Sequence, residues 1–261
     1  MGEKALILSN KVAIVTGASK GIGRTIALRL AEKGAKIVLA ARSKDLLMEV
    51  ADQIACAGGE ALVVLTDMRN PDEVRGMVET SVERFGRLDI MVASAGVTHI
   101  CPVAEISKRD WDEVLAVNLT GPFLCAQAAL RPMLRQKYGR IIFIGSDESV
   151  GGSAFMGGYA ASKHGLIGLM RSLCMEVGHL GITINTICPG WTNTDMAHSS
   201  SEEYRKLIGW TEEQMKEAVL SDTFNRGFAD PGEIAVAVVF LASDEARSIN
   251  GQRLVINAKL F

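Results

Sequence analysis

Near the start of the chain, a cluster of glycines separates an apolar segment from an amphipathic one, and this restricts the fold more than any other feature. Lys11-Val-Ala-Ile-Val-Thr16 is a short apolar run of the kind that forms a buried strand. Thr16-Gly-Ala-Ser-Lys-Gly-Ile-Gly23 follows, and residues 24–33 have helical periodicity. Gly17 permits a tight turn. Gly21 and Gly23 let other groups approach the backbone closely, and the first N–H groups of the helix are offered to an anion such as a pyrophosphate. The alternation then continues. Residues 36–41, 61–65, 90–94, 140–145, 183–188 and 253–256 read as further strands. Helical patterns fall near 45–57, 72–85, 119–137, 159–177 and 232–242. Alternating elements of this kind predict a doubly wound, parallel, seven-stranded sheet with helices on both faces. Ligands then bind beyond the C-terminal ends of the strands, where the glycine turn lies. At 261 residues the chain is long enough for one such α/β domain over 1–261.

A second constellation supplies chemistry. Tyr159 and Lys163 are four residues apart, so on a helix the phenol and ammonium share a face, and Ser146 lies thirteen residues earlier. A free tyrosine has a pKa of about 10, and a nearby fixed cation is expected to lower it. Proton exchange with an alcohol or carbonyl oxygen then becomes feasible near neutral pH. A serine hydroxyl from an adjacent strand end can hold the same oxygen. Such a pair is common on solvated helix faces, and it gains meaning from the hydride-carrier site at the other end of the chain.

Taken together, these motifs resemble the short-chain dehydrogenase/reductase family in its compact, Rossmann-like single-domain form, over nearly the whole chain. The resemblance implies a dinucleotide held by Gly17, Ser19, Lys20, Gly21, Ile22 and Gly23 of the glycine turn. After the third strand Asp67 and Met68 join, and after the fourth Ser94, Ala95 and Gly96. The closing motif Pro189-Gly190-Trp191-Thr192-Asn193-Thr194 contributes Pro189, Gly190, Thr192 and Thr194. It also implies a catalytic set of Asn118, Ser146, Tyr159 and Lys163. In that set Tyr159 exchanges the proton, Ser146 orients the oxygen, and Lys163 tunes the phenol and holds the nicotinamide ribose. Asn118 positions a water that links Lys163 to solvent. Two stretches depart from the family pattern. Ala93-Ser94-Ala95-Gly96 stands where relatives have two asparagines that brace the sheet, and Ser94 makes only part of their hydrogen bonds. The C-terminal stretch reads Val255-Ile-Asn-Ala-Lys-Leu-Phe261.

Cofactor choice is set at the end of the second strand, where an acid selects NAD and basic groups select NADP. Ala41 stands where NAD-preferring relatives place aspartate, Arg42 follows, and Lys20 sits in the glycine loop. Arg binds phosphate bidentately and Lys as a point charge. NADP(H) is therefore expected, with NAD(H) as the alternative.

The remaining readings bound function. A net charge of −2 gives no support to nucleic-acid binding or attraction to a membrane surface. Five widely spaced cysteines without a CxxC pair suit free thiols in a reducing compartment. No leader is visible in residues 1–10, and the longest uncharged stretch, 177–194, is too polar to span a membrane. A cytoplasmic enzyme is expected. His99, His164, His179 and His198 show no metal-ligand spacing, so no metal is expected. Asp147 and Glu148 directly follow Ser146, where relatives place small or apolar residues; they either face solvent or line the substrate mouth. Residues 190–223, with Trp191, Met196, Trp210 and Met215, depart from the α/β pattern and read as a segment covering the substrate. Leu166, Leu169, Met170 and Leu173 form an apolar helix stripe, and relatives pair such helices in tetramers, so a homotetramer is expected.

The function expected is hydride transfer between a nicotinamide cofactor and a ketone or secondary alcohol. One alternative is reduction of a 3-oxoacyl group on acyl carrier protein. Arg131 fits one basic position of relatives with that role, but Met175 replaces the other, and Asp147–Glu148 would repel an acidic carrier. The other alternative is a non-catalytic dinucleotide sensor on the same fold.

Overall fold

The structure is a computed structural model, and it describes residues 6–258. Residues 1–5 of the N-terminal stretch and Lys259–Phe261 of the altered C-terminal stretch lie outside the described residues. Seven strands form one sheet: β1 (Val12–Thr16), β2 (Lys36–Ala41), β3 (Ala61–Leu65), β4 (Ile90–Ala93), β5 (Gly139–Ile144), β6 (Ile182–Pro189) and β7 (Arg253–Ile256). All neighbours are parallel, in the order β3-β2-β1-β4-β5-β6-β7. β1, β4, β5 and β6 are buried along their whole length, and β1 and β4 are accordingly near-continuous apolar runs, whereas β6 buries Thr183, Asn185 and Thr186 among its apolar residues. The order reverses between β1 and β4. A crevice therefore opens there, because the connections leave in opposite directions.

The helices are α1 (Gly21–Glu32), α2 (Lys44–Cys56), α3 (Pro71–Phe85), α4 (Lys108–Leu115), α5 (Gly121–Gln136), α6 (Gly157–Val177), α7 (Asp195–Ile208), α8 (Glu212–Asp222) and α9 (Pro231–Ala242). Ile26 and Leu30 of α1, Leu47 and Ile54 of α2 and Val238 of α9 pack one face of the sheet. Met77 of α3, Ala129 and Met133 of α5, and Leu166 and Met170 of α6 pack the other.

Three expectations change. First, α4 sits in a stretch read as irregular. Ser107 caps it by accepting the Asp110 N–H at 3.1 Å, but the helix is only 8 residues long and mostly charged, so its apolar positions Trp111, Val114 and Leu115 make too short a pattern to mark it. Second, the segment 190–223 read as departing from the α/β pattern is mostly helical, with α7 starting at Asp195 because Thr194 accepts the Ala197 N–H at 3.2 Å and caps it there. Third, the α6 stripe is not free. Leu166 and Met170 are wholly buried against the sheet in the single chain, Leu169 and Leu173 are half-buried, and Met175 alone of that helix's large apolar side chains is strongly exposed, at 84%. The apolar face of α6 is thus already used by its own core.

α4 and α5 are joined by a π-helical turn, Ala116–Thr120. The resulting helical stretch Lys108–Gln136 is the one among the described residues long and apolar enough to cross a membrane. Its α5 portion packs on β4, β5 and α3.

Candidate active site

The glycine turn is shaped to bring backbone close to a ligand. Gly17 has φ +66°, and a Cβ there would lie 2.8 Å from the Ala95 Cα. A side chain at Gly23 would strike the Gly17 carbonyl. Lys20 is the N-cap of α1 but contributes no side-chain cap, and the first turn holds no acid. The helix therefore keeps its N-terminal N–H groups and positive end available for an anion. The turn is tied to β4 by Thr16, whose hydroxyl accepts the N–H groups of Ser94 and Ala95 at 3.0 and 3.2 Å.

A groove of about 430 Å³ runs from this turn over the strand ends. Gly17, Ser19, Lys20, Gly21, Ile22, Gly23, Arg42, Asp67, Met68, Ser94, Ala95, Gly96, Tyr159, Lys163 and Thr194 all line it. Pro189, Gly190 and Thr192 line the adjoining cleft instead. At the far end of the groove Arg42 and Lys20 are exposed, and neither has an ion pair among the described residues. Asp67 is paired with Arg69 at 2.6 Å, and the guanidinium holds its pKa down at about 2.

Tyr159 and Lys163 lie on α6, one turn apart, and the ammonium stands 5.5 Å from the phenol ring centroid. Lys163 is 4% exposed and donates to the Ile144 carbonyl at 2.9 Å. Burial lowers its pKa to about 8. The phenol moves the opposite way to expectation. Burial raises its pKa well above the usual tyrosine value, hydrogen bonding with Ser146 opposes this, and the charges of Asp147 and Glu148 add to the rise. The lysine does not prevail over that burial in this state, and the phenol is a neutral acid at physiological pH.

Asn118 is fully buried in the π turn, the kind of helix irregularity that often marks a functional position. Its Oδ1 accepts the Val97 N–H at 2.9 Å, and its two amide hydrogens go to the Val97 carbonyl at 2.8 Å and to Ser162 Oγ at 3.2 Å. The side chain is fully engaged in locking the loop after β4 to α6. A Cβ on Gly96 would sit 3.5 Å from Asn118 Oδ1 and 3.7 Å from Lys163 Nζ, so the three positions adjoin.

Tyr159 is also where the groove meets a second cleft of about 560 Å³, which shares Ile22, Gly145, Tyr159, Thr194 and Met196 with it. Ser146, Asp147 and Glu148 form part of this second cleft, and Met196, Tyr204, Trp210 and Met215 of the α7–α8 region line it opposite them. The Ser146 hydroxyl donates to Asp147 Oδ1 at 2.7 Å, and the same oxygen accepts the Glu148 N–H at 2.9 Å. Glu148 is buried, and its carboxylate accepts both the N–H and the hydroxyl of Ser153. The two acids therefore line the cleft and do not face open solvent.

Comparison with known proteins settles the lineage. The family model for short chain dehydrogenases matches residues 11–205. The chain is a short-chain dehydrogenase/reductase. It is 37% identical over 255 residues to a 3-oxoacyl-(acyl-carrier-protein) reductase of Vibrio cholerae, covering 97% of this chain and 98% of that one. It is 36% identical to the Escherichia coli protein of the same name, covering 96% and 97%. Among solved structures, a point variant of an actinorhodin polyketide ketoreductase with NADPH superposes with TM-score 0.92 at 33% identity, covering 98% of this chain and 99% of that one. A Beutenbergia cavernae protein assigned as an NAD(P)-dependent gluconate 5-dehydrogenase, with NADP bound, gives 0.88 at 32% identity, covering 97% and 98%.

In this short-chain dehydrogenase/reductase the Thr16 hydroxyl holds the backbone of the altered stretch after β4, at Ser94 and Ala95. Sequence reasoning missed several lining groups: Ser43 and Thr66 in the groove, and Met156, Ser200 and Tyr204 in the cleft. Ser43 follows Arg42 directly and was within reach of the argument that found it. The others depend on loop paths and on the seating of α7, which no local pattern carries.

Proposed function

We propose that this short-chain dehydrogenase/reductase is a cytoplasmic carbonyl reductase acting on a small-molecule ketone, with the reverse alcohol oxidation using the same groups. The observation that carries the reading is the position of the Tyr159 phenol, protonated and shared by a dinucleotide groove and a separate cleft. The cofactor is NADP(H). The residues present fit it: a helix terminus free of side-chain caps and first-turn acids, glycines whose Cβ space is already filled by backbone, and unpaired cations at Arg42 and Lys20 beside Ala41.

Bound there, the nicotinamide supplies a hydride. The chain's own residues do the rest. Tyr159 gives its proton to the carbonyl oxygen, Ser146 orients that oxygen, and Lys163 contributes positive charge beside the phenol and binds ribose hydroxyls. Asn118 fixes the loop after β4 against α6. Gly17, Ser19, Lys20, Gly21, Ile22 and Gly23 hold the pyrophosphate. Arg42 would hold the 2′-phosphate, and Asp67, Met68, Ser94, Ala95 and Gly96 would hold the rest of the dinucleotide along the groove. Pro189, Gly190, Thr192 and Thr194 close over the nicotinamide end, and residues 190–223 cover the substrate, all within one domain over 1–261.

The 3-oxoacyl-(acyl-carrier-protein) reductase reading stands second, on the similarity to the bacterial reductases. Arg131, its basic candidate, lines neither cleft and lies instead on the α3–α5 surface with Arg75, Arg135 and two glutamates. NADPH oxidation measured against small ketones, free 3-oxoacyl thioesters and carrier-bound thioesters separates the readings. Exclusive turnover of carrier-bound substrate would replace the first with the second, and absence of any turnover would leave a dinucleotide sensor. A homotetramer is proposed as well. Phe123, Leu134 and Met175 on α5 and α6, and Val236, Phe240 and Leu254 on α9 and β7, leave apolar surface exposed on two sides. Light scattering is expected to give about four chain masses; a stable single-chain mass at micromolar concentration refutes it.

A further inference from the structure

The cleft that receives the substrate has an unusual charge pattern. Asp147, Glu148 and Asp222 line it, and no Lys, Arg or His does among the described residues. None of the three acids has an ion-pair partner among the described residues, although fifteen ion pairs are formed elsewhere. The buried ammonium of Lys163 belongs to the dinucleotide groove and donates to Ile144.

Glu148 is 8% exposed and its two oxygens accept from Ser153, while Asp147 Oδ1 accepts from the Ser146 hydroxyl and the Glu148 N–H. The partners of both carboxylates are neutral donors, so a cation that enters the cleft meets negative charge with no basic side chain to offset it. Tyr204, Trp210 and Trp191 complete the lining, and Tyr204 packs edge-on against both Trp210 and Phe155. Unpaired carboxylates beside aromatic rings form the chemical environment that recognises an organic cation, by charge-assisted hydrogen bonds at one end and ring faces at the other. The same negative lining disfavours a carboxylate-bearing or phosphorylated substrate.

We propose that the physiological substrate is an amino ketone or the corresponding amino alcohol, whose protonated amine binds Asp147 and Glu148 while its carbonyl oxygen meets Tyr159 and Ser146. This rests on the carbonyl-reductase reading and sharpens it to a substrate class. The Ser146–Asp147 hydrogen bond adds a consequence. In the structure the serine proton is given to Asp147, so a substrate oxygen must compete for it. An ammonium that takes up the Asp147 charge frees that proton for the carbonyl. A neutral ketone lacks this help, and its deficit falls on kcat as well as on KM.

The test compares a dimethylamino ketone with its isosteric isopropyl ketone, under saturating NADPH, in the parent and in Asp147→Asn. The parent is expected to favour the cation by about thirtyfold in kcat/KM, the scale of one charge-assisted contact. Asp147→Asn removes most of that preference. Equal use of both ketones by the parent, or an equal loss on both in the variant, overturns the inference; turnover of neutral ketones then still supports the reductase reading. If neither ketone turns over, calorimetry of the protein–NADP+ complex with the matching amino alcohol decides. Salt-sensitive binding that is weakened in Asp147→Asn sustains the inference, and its absence overturns it.

Discussion

The two ends of the sheet treat charge in opposite ways. At the end where strands begin, every buried charge is matched. Asp89 is fully buried, accepts the Val12 N–H at 2.9 Å and is clasped by Arg87 through bonds of 2.8 and 2.7 Å. Arg140, 3% exposed, donates to the carbonyls of Gly139, Gly181 and Ser243 and pairs with Asp244. Gln136 bridges both backbone groups of Leu88. At the end where strands finish, charges lack opposite partners among the described residues: Arg42 and Lys20 exposed beside the glycine turn, Lys163 buried and held by one carbonyl, and Asp147 held by neutral donors. Burying an unmatched charge costs stability, and a fold tolerates that where a ligand supplies the missing partner. The difference separates residues that hold the protein together from residues that wait for something to bind.

The largest effect expected is at the incomplete end. Tyr159→Phe should lower turnover by about a thousandfold or more while NADPH affinity, followed by fluorescence titration, changes little, because the phenolic proton serves chemistry and not dinucleotide binding. Residual activity within about tenfold of the parent, ~1.4 kcal/mol, would remove Tyr159 from the role of principal acid.

A paired stability measurement tests the contrast itself. Asp89→Ala should cost about 2–4 kcal/mol in urea denaturation, since it strands a buried N–H and leaves Arg87 without its carboxylate. Asp147→Asn should stay within about 1 kcal/mol of the parent or exceed it, because a poorly compensated charge is removed. Equal losses at the two ends would erase the distinction.

Next in size is cofactor choice. Replacing Ala41 with Asp and Arg42 with Ser should cost NADPH about ten- to a hundredfold in kcat/KM and turn the preference toward NADH, since a charge-assisted hydrogen bond is worth roughly 1.5–3 kcal/mol. The new carboxylate also repels the 2′-phosphate. A parent that already prefers NADH, or an unchanged ratio in the variant, would reduce Arg42 and Lys20 to surface charges.

The effect spread over the widest pH range concerns Lys163. Its pKa is about 8 in the fold against an ordinary 10.5, so the folded state holds this proton more weakly than the unfolded chain does. The charged lysine therefore costs stability below pH 8, by at most about 3 kcal/mol. That penalty fades as pH rises from 8 toward 10.5 and is absent above it. Lys163→Met should compare most favourably with the parent at pH 7 and progressively less so by pH 10. A stability difference that does not vary with pH would contradict the burial argument.

Much of this was legible in the sequence. Strands β1, β2 and β3 and the alternation that makes the sheet parallel follow from apolar runs, because a strand covered on both faces has no polar side to display. The glycine turn was legible because only glycine fits Gly17's positive φ and Gly23's contact with a carbonyl. Tyr159 and Lys163 were legible because helical spacing alone puts them on one face. α4 was not, since a helix of 8 mostly charged residues carries too short an apolar pattern.

What the sequence could not determine by itself was energetic balance. That Lys163 would tune Tyr159 is a statement about two neighbours on a helix; that burial outweighs it depends on how α6 seats against β5 and the segment after it. That Leu166 and Met170 are core rather than interface depends on which face of α6 meets the sheet. Whether Asp147 and Glu148 face water or substrate depends on where α7 and α8 lie, and Ser146, Ser153 and Tyr204 are brought around them only by the folded chain. Residue types and spacing determine which chemistry is available. Desolvation and partner counting are properties of the packed whole, so tertiary structure alone decided which of these groups are paired, which are buried, and which remain open for a ligand.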